Sequence, residues 1–293
     1  MLDQMEHLMA QMDTLSLLVG VALLSVETLW DLIRWHRPGQ RLLESLASLS
    51  TQIPYVAGEL LFTTAAVFVY FTVYELVTPV TIPVTLGTVI LALIVADFVY
   101  YWEHRVAHEV RLLWVSHAVH HSAREMNTAV AFRFGIFESP WAALVHLPLV
   151  LIGFHPLVVF AGQVAVLAYQ TWIHTELIGR LGPLERIFNT PSNHRVHHGC
   201  DAKYLDKNYG GILIVWDRIF GTYQAEEERP RYGLARDFDS VNPLKVWFSE
   251  FPALFRDLAA ARSLSEGFGY LFRRPGWRPP AARRGLSEAP RRS

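Results

Sequence analysis

Long apolar stretches, separated by short charged segments, dominate the first 180 residues. Three of them, Thr14–Trp30, Pro54–Tyr74 and Val80–Trp102, are long enough, or nearly so, to cross a hydrocarbon core of about 30 Å. A fourth, Pro140–Trp172, is apolar throughout but broken near Gly153–Pro156, which predicts two helices joined by a tight turn. The pattern predicts an all-α integral membrane protein with about four to five membrane helices and a cytoplasmic helical cap.

The distribution of lysine and arginine predicts the orientation of these helices. Residues 1–33, 42–104 and 134–179 contain neither residue type, so all 26 basic side chains lie in three segments. With five apolar elements, the three segments fall on one face, and the positive-inside rule makes that face cytoplasmic. The first stretch has no basic n-region and no small-residue cleavage site, so we expect an anchor helix there. The protein is expected in the inner (cell) membrane if it is bacterial.

Histidines are concentrated in three clusters, which lie in these basic segments or, for His104, directly before one. Spacings of three and four residues place side chains on one face of a helix, one turn apart. We expect the first cluster to continue the third membrane helix, and the other two to lie on further cytoplasmic helices. The clusters are His104 and His108; His117, His120 and His121; and His194, His197 and His198.

This number of imidazoles indicates two metal ions. Neutral imidazole suits iron, zinc or copper, and a structural zinc site needs only four ligands. Eight histidines exceed that number, whereas two ions with four or five ligands each would use them all. The single cysteine, Cys200, excludes a disulfide framework and a cysteine-rich metal site, and the net charge of −1 gives no indication of nucleic-acid binding.

Metal ligands at the end of a membrane helix favour an oxygenase that acts on lipid. Two redox-active irons can use O₂ to attack an unactivated C–H bond, and an acyl chain can approach from the bilayer. A metal transporter or sensor is the alternative from another class. Transport would require polar ligands near the bilayer midplane, and here they gather at one face.

Several motifs resemble the membrane fatty acid hydroxylase / sterol desaturase superfamily. The resemblance covers roughly residues 90–225, and its later motifs are similar to the alkylglycerol monooxygenase branch and its bacterial relatives. The motifs are Asp97–Arg105, Leu113–Ser122, Trp172–Glu176, Asn189–Gly199, Asp206–Gly211 and Trp216–Thr222.

The resemblance implies a di-iron centre and O₂-dependent hydroxylation of a membrane lipid, with desaturation as the alternative. It assigns the ligand role to the eight clustered histidines and adds His174 as a ninth. It also implies an external electron donor, either a redox protein or a reduced cofactor. Alkylglycerol monooxygenase has a histidine where this chain has Asn193, so that enzyme's substrate is not carried over. Its tetrahydropterin cofactor is not carried over either, because other branches of the superfamily draw electrons from small redox proteins.

Carboxylates near the histidines are candidates for supporting roles. Asp97 lies two turns before His104, where it could orient a ligand histidine through its free ring nitrogen or bind a polar group of a neighbouring helix. Glu176, Glu103 and Glu138 are further candidates for contacts to ligand histidines.

The chain divides into four parts by composition. Residues 1–79 are expected to form anchor helices, 80–225 the catalytic domain, 226–272 a membrane-associated helical extension and 273–293 a disordered tail. Within the extension, Leu244–Leu258 carries an aromatic stripe that suits either the membrane surface or the core of the cap.

Overall fold

The computed structural model describes residues 2–34 and 38–280, so residues 281–293 of the expected disordered tail lie outside the described residues. The larger helices are α1 (Leu2–Arg34), α2 (Pro38–Ser50), α3 (Gln52–Leu76), α4 (Leu86–Glu109), α5 (Arg111–His121), α6 (Glu138–Leu151) and α7 (Pro156–Gln170). Shorter helices follow: α8 (Pro191–His197), α9 (Val215–Phe220), α10 (Pro243–Trp247), α11 (Phe251–Ala259) and α12 (Leu264–Phe272). β-structure in these ranges is limited to two isolated bridges, Phe188–Leu213 and Gly199–Tyr232.

Three helical segments of the described chain are long and apolar enough to cross a membrane: Gly39–Leu76, Leu86–Glu109 and Pro156–Ile173. A shorter apolar segment, Leu17–Trp30, lies within α1. The prediction of an all-helical membrane protein is confirmed.

The third membrane helix begins later than predicted, at Leu86 instead of Val80. Pro79 and Pro83 precede it, and proline disfavours helical backbone in the residue before it. Thr85 then caps α4, because its hydroxyl accepts from the Thr88 amide at 3.2 Å while the Thr88 hydroxyl accepts from the Thr85 amide at 2.9 Å. At its other end α4 continues through His104 and His108, as predicted.

The apolar stretch 140–172 is a helical hairpin, as its break predicted. Gly153 adopts a φ of +112° in the turn between α6 and α7, and its carbonyl accepts from the Ile82 amide at 2.8 Å. A Cβ at this glycine would lie 2.3 Å from the Val80 carbonyl oxygen, so no other residue fits the turn. His155 caps α7 by accepting from the Leu157 amide, which is a structural role.

The bundle core lies between α3, α4, α6 and α7. Its buried side chains include Tyr70, Val150 and Val159. Helices α4 and α7 approach closely at Gly162, where a Cβ would lie 2.8 Å from that of Ala96. This packing holds α4 rigidly, and the end of α4 carries the first two histidines.

The segment 244–258 forms two short helices in place of one. Val246 and Leu254 are buried against the rest of the protein, while Leu244, Phe248 and Phe255 are exposed. This segment therefore has two environments. One side packs on the rest of the protein, and the other side forms an exposed apolar surface. Its attachment to a membrane stays a prediction.

Candidate metal centre

All nine predicted histidines come together at the end of α4, and they form two groups. The ring nitrogens available in each group lie within 4.8 Å of one another, and every one of the nine side chains is buried. Group one consists of His104, His108, His117, His121 and His197. Group two consists of His120, His174, His194 and His198.

Group one joins the end of α4 to α5 and α8. The Nε2 atoms of His104 and His117 are 3.0 Å apart, and those of His117 and His121 are 3.2 Å apart. His117 and His121 are one turn apart on α5 and share a face of that helix. His197 adds a fifth imidazole from α8, with its ring centroid 4.3 Å from that of His104.

Group two is assembled from α5, α8 and the turn that follows α7. The Nε2 atom of His174 lies 2.8 Å from that of His194 and 3.2 Å from that of His120. His198 lies one turn beyond His194, with 3.1 Å between their Nε2 atoms. His174 is thus at the middle of its group, where the family resemblance had added it as a ninth ligand.

Backbone carbonyls fix the orientation of four of these rings. Because a carbonyl oxygen only accepts, the Nδ1 atom that contacts it carries the proton, and Nε2 keeps a lone pair free for a metal. The pairs are His104 with Tyr209 (2.9 Å), His120 with Arg133 (3.2 Å), His174 with Gln170 (2.7 Å) and His197 with Lys207 (2.9 Å).

Burial keeps the histidines outside the membrane-length helices neutral, and the neutral imidazole is the form that binds metal. Burial lowers the pKa of His174 to about 4 and that of His197 to about 3, although in each case the hydrogen bond to a carbonyl acts in the opposite direction. Burial, and next the neighbouring imidazoles, hold four further pKa values well below the usual range: those of His120, His121, His194 and His198.

The donor set fits metal ions. Two nitrogens bound to one ion at about 2.1 Å lie roughly 3.0 to 3.4 Å apart for octahedral to tetrahedral angles. The Nε2 pairs here are 2.8 to 3.2 Å apart. In addition, the Nε2 atoms of His108 and His197 are buried without a hydrogen-bond partner. A cation between the rings would satisfy these lone pairs, and no protein donor among the described residues does so.

Asp97 supports the centre without contacting a histidine. Its carboxylate accepts from the amides of Ile212 (2.6 Å) and Leu213 (3.1 Å) and from the indole of Trp216 (2.8 Å). Of the two roles considered for it, binding a polar group of a neighbouring element is therefore the observed one. The loop it holds also supplies the Tyr209 carbonyl to His104, so Asp97 orients that ring indirectly.

Asp217 holds the other side of the same loop. It accepts from the amides of Tyr209 and Gly210, each at 2.7 Å, and from the Thr222 hydroxyl at 2.6 Å. The neighbouring Arg218 instead donates to the Glu185 carbonyl and lies over the ring of Tyr223. Asp217 is therefore part of the support for His104.

Glu176 joins separate segments of the chain through hydrogen bonds, and it contacts no ligand histidine in the described structure. Its carboxylate accepts from Arg229 at 2.7 and 2.9 Å, from Tyr232 at 3.1 Å and from Arg41 at 3.3 Å. Asn193 likewise has a structural role, because its amide donates to the carbonyls of Glu185 and Phe188. Two carboxylates approach ligand histidines: Oε1 of Glu138 lies 3.4 Å from Nδ1 of His117, and Oδ1 of Asp206 lies 3.7 Å from Nδ1 of His108.

A cavity of about 410 Å³ opens directly beside both groups. His104 and His117 of group one and His120 and His174 of group two line it. Its walls come from the membrane helices α3, α4, α6 and α7, and its apolar lining includes Phe62, Phe160 and Leu167. These wall residues were not recognised from the sequence, since apolar side chains in membrane helices give no signal that separates a cavity wall from a lipid-facing surface.

The histidines, the loop that orients them and Asp97 all lie within residues 89–222, which match the family described as fatty acid hydroxylase. This segment of the chain belongs to the fatty acid hydroxylase family.

Several curated proteins are similar to the chain over a longer stretch, among them alkylglycerol monooxygenases and an ornithine lipid hydroxylase. The chain is 38% identical over 270 residues to alkylglycerol monooxygenase of Homo sapiens, which covers 92% of this chain and 60% of that protein. It is 42% identical over 193 residues to alkylglycerol monooxygenase of Xenopus tropicalis (66% and 43%), and 39% identical over 137 residues to ornithine lipid hydroxylase OlsE of Rhizobium tropici (46% and 41%). The chain thus spans about half the length of these relatives, and no solved structure matches it significantly.

The substitution Asp97→Asn tests whether this carboxylate supports the metal centre. Asparagine keeps one acceptor but turns an NH₂ group toward backbone amides, so we expect a loss of about 1–3 kcal/mol in the free energy of unfolding. Because the loop then holds His104 less firmly, metal affinity of group one should fall about 10- to 100-fold. Metal titration of the purified protein measures this, and Asp237→Asn, at an exposed position, is the control. Equal metal affinity for the wild type and Asp97→Asn would show that the loop does not depend on this carboxylate.

Proposed function

We propose that the protein is an O₂-dependent lipid hydroxylase, or monooxygenase, that holds two iron ions. The observation that carries this proposal is the division of nine buried histidines into groups of five and four beside one cavity between membrane helices. The names of its relatives support it, because they include monooxygenases and a lipid hydroxylase.

Group one would hold one iron and group two the other. Bound iron would supply the activation of O₂, and the balanced reaction is R–H + O₂ + 2 e⁻ + 2 H⁺ → R–OH + H₂O. The chain's own contribution is to hold the imidazoles neutral and oriented and to place lipid beside them. The electrons come from outside the chain, from a redox protein or a reduced cofactor.

The cavity supports a membrane lipid as the substrate. Its apolar walls lie between helices of membrane length, so an acyl, alkyl or sterol group can occupy it from the bilayer side. Residues 80–225 then form the catalytic domain, 1–79 the anchor helices and 226–272 a membrane-associated extension. We place the histidines on the cytoplasmic face; a thiol-reactive label at Lys203→Cys, in a Cys200→Ser background, should then react only from the cytoplasmic side.

Transport of metal is a weaker alternative. The two histidine groups lie together at one end of α4, and the described chain shows no series of such ligands along the membrane helices. A transported ion would need partners across the whole span. Desaturation uses the same kind of centre and is distinguished by the product.

Metal removal and isotope labelling test the proposal. The purified protein in lipid nanodiscs should lose activity on chelation and regain it with Fe(II), with two irons per chain and no recovery with Zn(II). In the presence of ¹⁸O₂ and a reductant, the lipid product should gain one labelled oxygen. Loss of two hydrogens would identify a desaturase instead, and turnover that persists in the metal-free protein would overturn the proposal.

A further inference from the structure

One side of the cavity is acidic, although a cavity for a plain hydrocarbon chain needs no charge. Glu59, Glu103 and Glu138 line it, and the lining contains no lysine or arginine among the described residues. We call these three carboxyl groups the acidic wall. They come from three helices, α3, α4 and the start of α6, so the wall is produced by the tertiary fold.

Two carboxyl oxygens of the acidic wall have no hydrogen-bond partner. Oε2 of Glu103 and Oε1 of Glu138 are buried and unpaired. The nearest ring nitrogens, Nδ1 of His146 and Nδ1 of His117, are each 3.4 Å away, and the first of these already contacts the Ala142 carbonyl at 3.0 Å. Buried acceptors of this kind are normally paired, so a molecule in the cavity is expected to bring hydrogen-bond donors.

Glu59 of the same wall differs from Glu103 and Glu138 in its hydrogen bonding. The hydroxyl of Thr63 donates to one of its oxygens at 2.6 Å, and the Ser139 hydroxyl donates to the other. Both oxygens of Glu59 are therefore satisfied within the protein. The two unpaired oxygens belong to the glutamates nearest the histidines.

The position of these glutamates places the polar part of a ligand at the metal centre. Glu103 directly precedes His104 on α4, and Glu138 approaches His117. Both histidines belong to group one and line the cavity. A donor group bound here lies next to the imidazoles, and the attached hydrocarbon extends toward the apolar lining at Phe160 and Leu167.

We propose that Glu103 and Glu138 bind the hydrogen-bond-donating head of a neutral or cationic lipid and so place a carbon near that head at the histidines. Hydroxyl and ammonium groups share the required chemistry. Ether and carboxylate heads are disfavoured, because they bring no hydrogen-bond donor for the two unpaired oxygens. This inference rests on the proposed function and specifies its substrate class.

A series of lipids with one chain length tests this specificity. The probes are a long-chain 1,2-diol, the corresponding primary amine, the dimethyl ether of the diol and the fatty acid. For the wild type, kcat/KM for the diol or the amine should exceed that for the ether and that for the acid by about tenfold or more. Mass spectrometry should place the new oxygen within the first few carbons from the head. Equal turnover of ether and diol, preferred turnover of the acid, or oxidation near the chain end would overturn the inference.

Paired variants separate the two head types. Glu103→Leu and Glu138→Leu remove the acceptor and should raise KM for both heads. Glu103→Gln and Glu138→Gln keep an acceptor without the charge, so they should affect the amine more than the diol. Glu75→Gln, an exposed glutamate of α3 outside the cavity lining, is the matched control. Metal content, measured for each variant, shows whether the centre is intact, and unchanged KM in all four variants would refute the role of these glutamates.

Failure of the proposed function can be distinguished from failure of this inference. If the iron-loaded wild type oxidises none of the probes, the hydroxylase proposal fails, and binding then tests the acidic wall independently. Tryptophan fluorescence titration should still rank the diol and the amine above the ether and the acid.

Discussion

Replacing His174 with alanine is expected to leave one metal ion per chain instead of two and to lower lipid oxidation by at least about 100-fold. His174 is the middle member of group two, with its Nε2 within 3.2 Å of those of both His120 and His194. Its removal leaves three imidazoles for that ion. Metal analysis together with product formation measures the effect.

His155→Asn is the matched control for this experiment. It changes a histidine at the opposite end of α7 from His174, and asparagine can still accept the hydrogen bond that caps α7. Metal content and activity should stay at the wild-type level. If His174→Ala retains both ions and full turnover, His174 is a buried structural histidine, and group two needs another explanation.

Replacing Arg133 with methionine is expected to cost about 3–5 kcal/mol in the free energy of unfolding, since it leaves a buried charge without its partner. The Arg133 side chain is fully buried, and its guanidinium donates to Glu44 at 3.0 Å, to the Val119 carbonyl at 3.0 Å and to Ser122 at 2.8 Å. It thereby joins α2 to α5. Because its own carbonyl orients His120, metal binding by group two should weaken as well.

A second substitution measures how much of this loss in stability comes from the unpaired carboxylate of Glu44. In Arg133→Met/Glu44→Leu the lone carboxylate is gone, and much of the lost stability should return. Arg124→Met breaks an exposed pair with Asp239 and should cost less than about 1 kcal/mol. Thermal unfolding in detergent ranks the variants. A double variant no more stable than Arg133→Met would show that the hydrogen bonds to α5, not the charge pair, carry the energy.

The helical layout and the eight clustered histidines could be predicted because each depends on local pattern, whereas His174 was added by the family resemblance. Apolar length indicates a membrane helix, and spacings of three and four residues indicate a shared helix face. The division into two groups does not follow the clusters, however. His120 and His121 are adjacent in sequence, but successive residues of a helix point about 100° apart, and they belong to different groups. The partner of each ring is decided by how α4, α5 and α8 pack.

The supports of the rings were the least predictable part of the site. Four rings are oriented by carbonyls of residues that carry no sequence signal for this role, among them Gln170 and Lys207. Arg133 gave no such signal either, since an arginine in a basic segment is usually solvated. Its burial requires Glu44, which is 89 residues away in the chain. Only the folded chain brings such pairs together.

Neither histidine group can form within one short segment of the chain. Group one needs residues from His104 to His197, and group two needs residues from His120 to His198. Helices α5 and α8 contribute to both groups, so each bound ion would act as a cross-link between distant segments. In a chain with a single cysteine, these cross-links take the place that disulfides have in other proteins. Iron supply should therefore govern how much of the newly made protein completes folding and escapes degradation, in addition to how fast each molecule works.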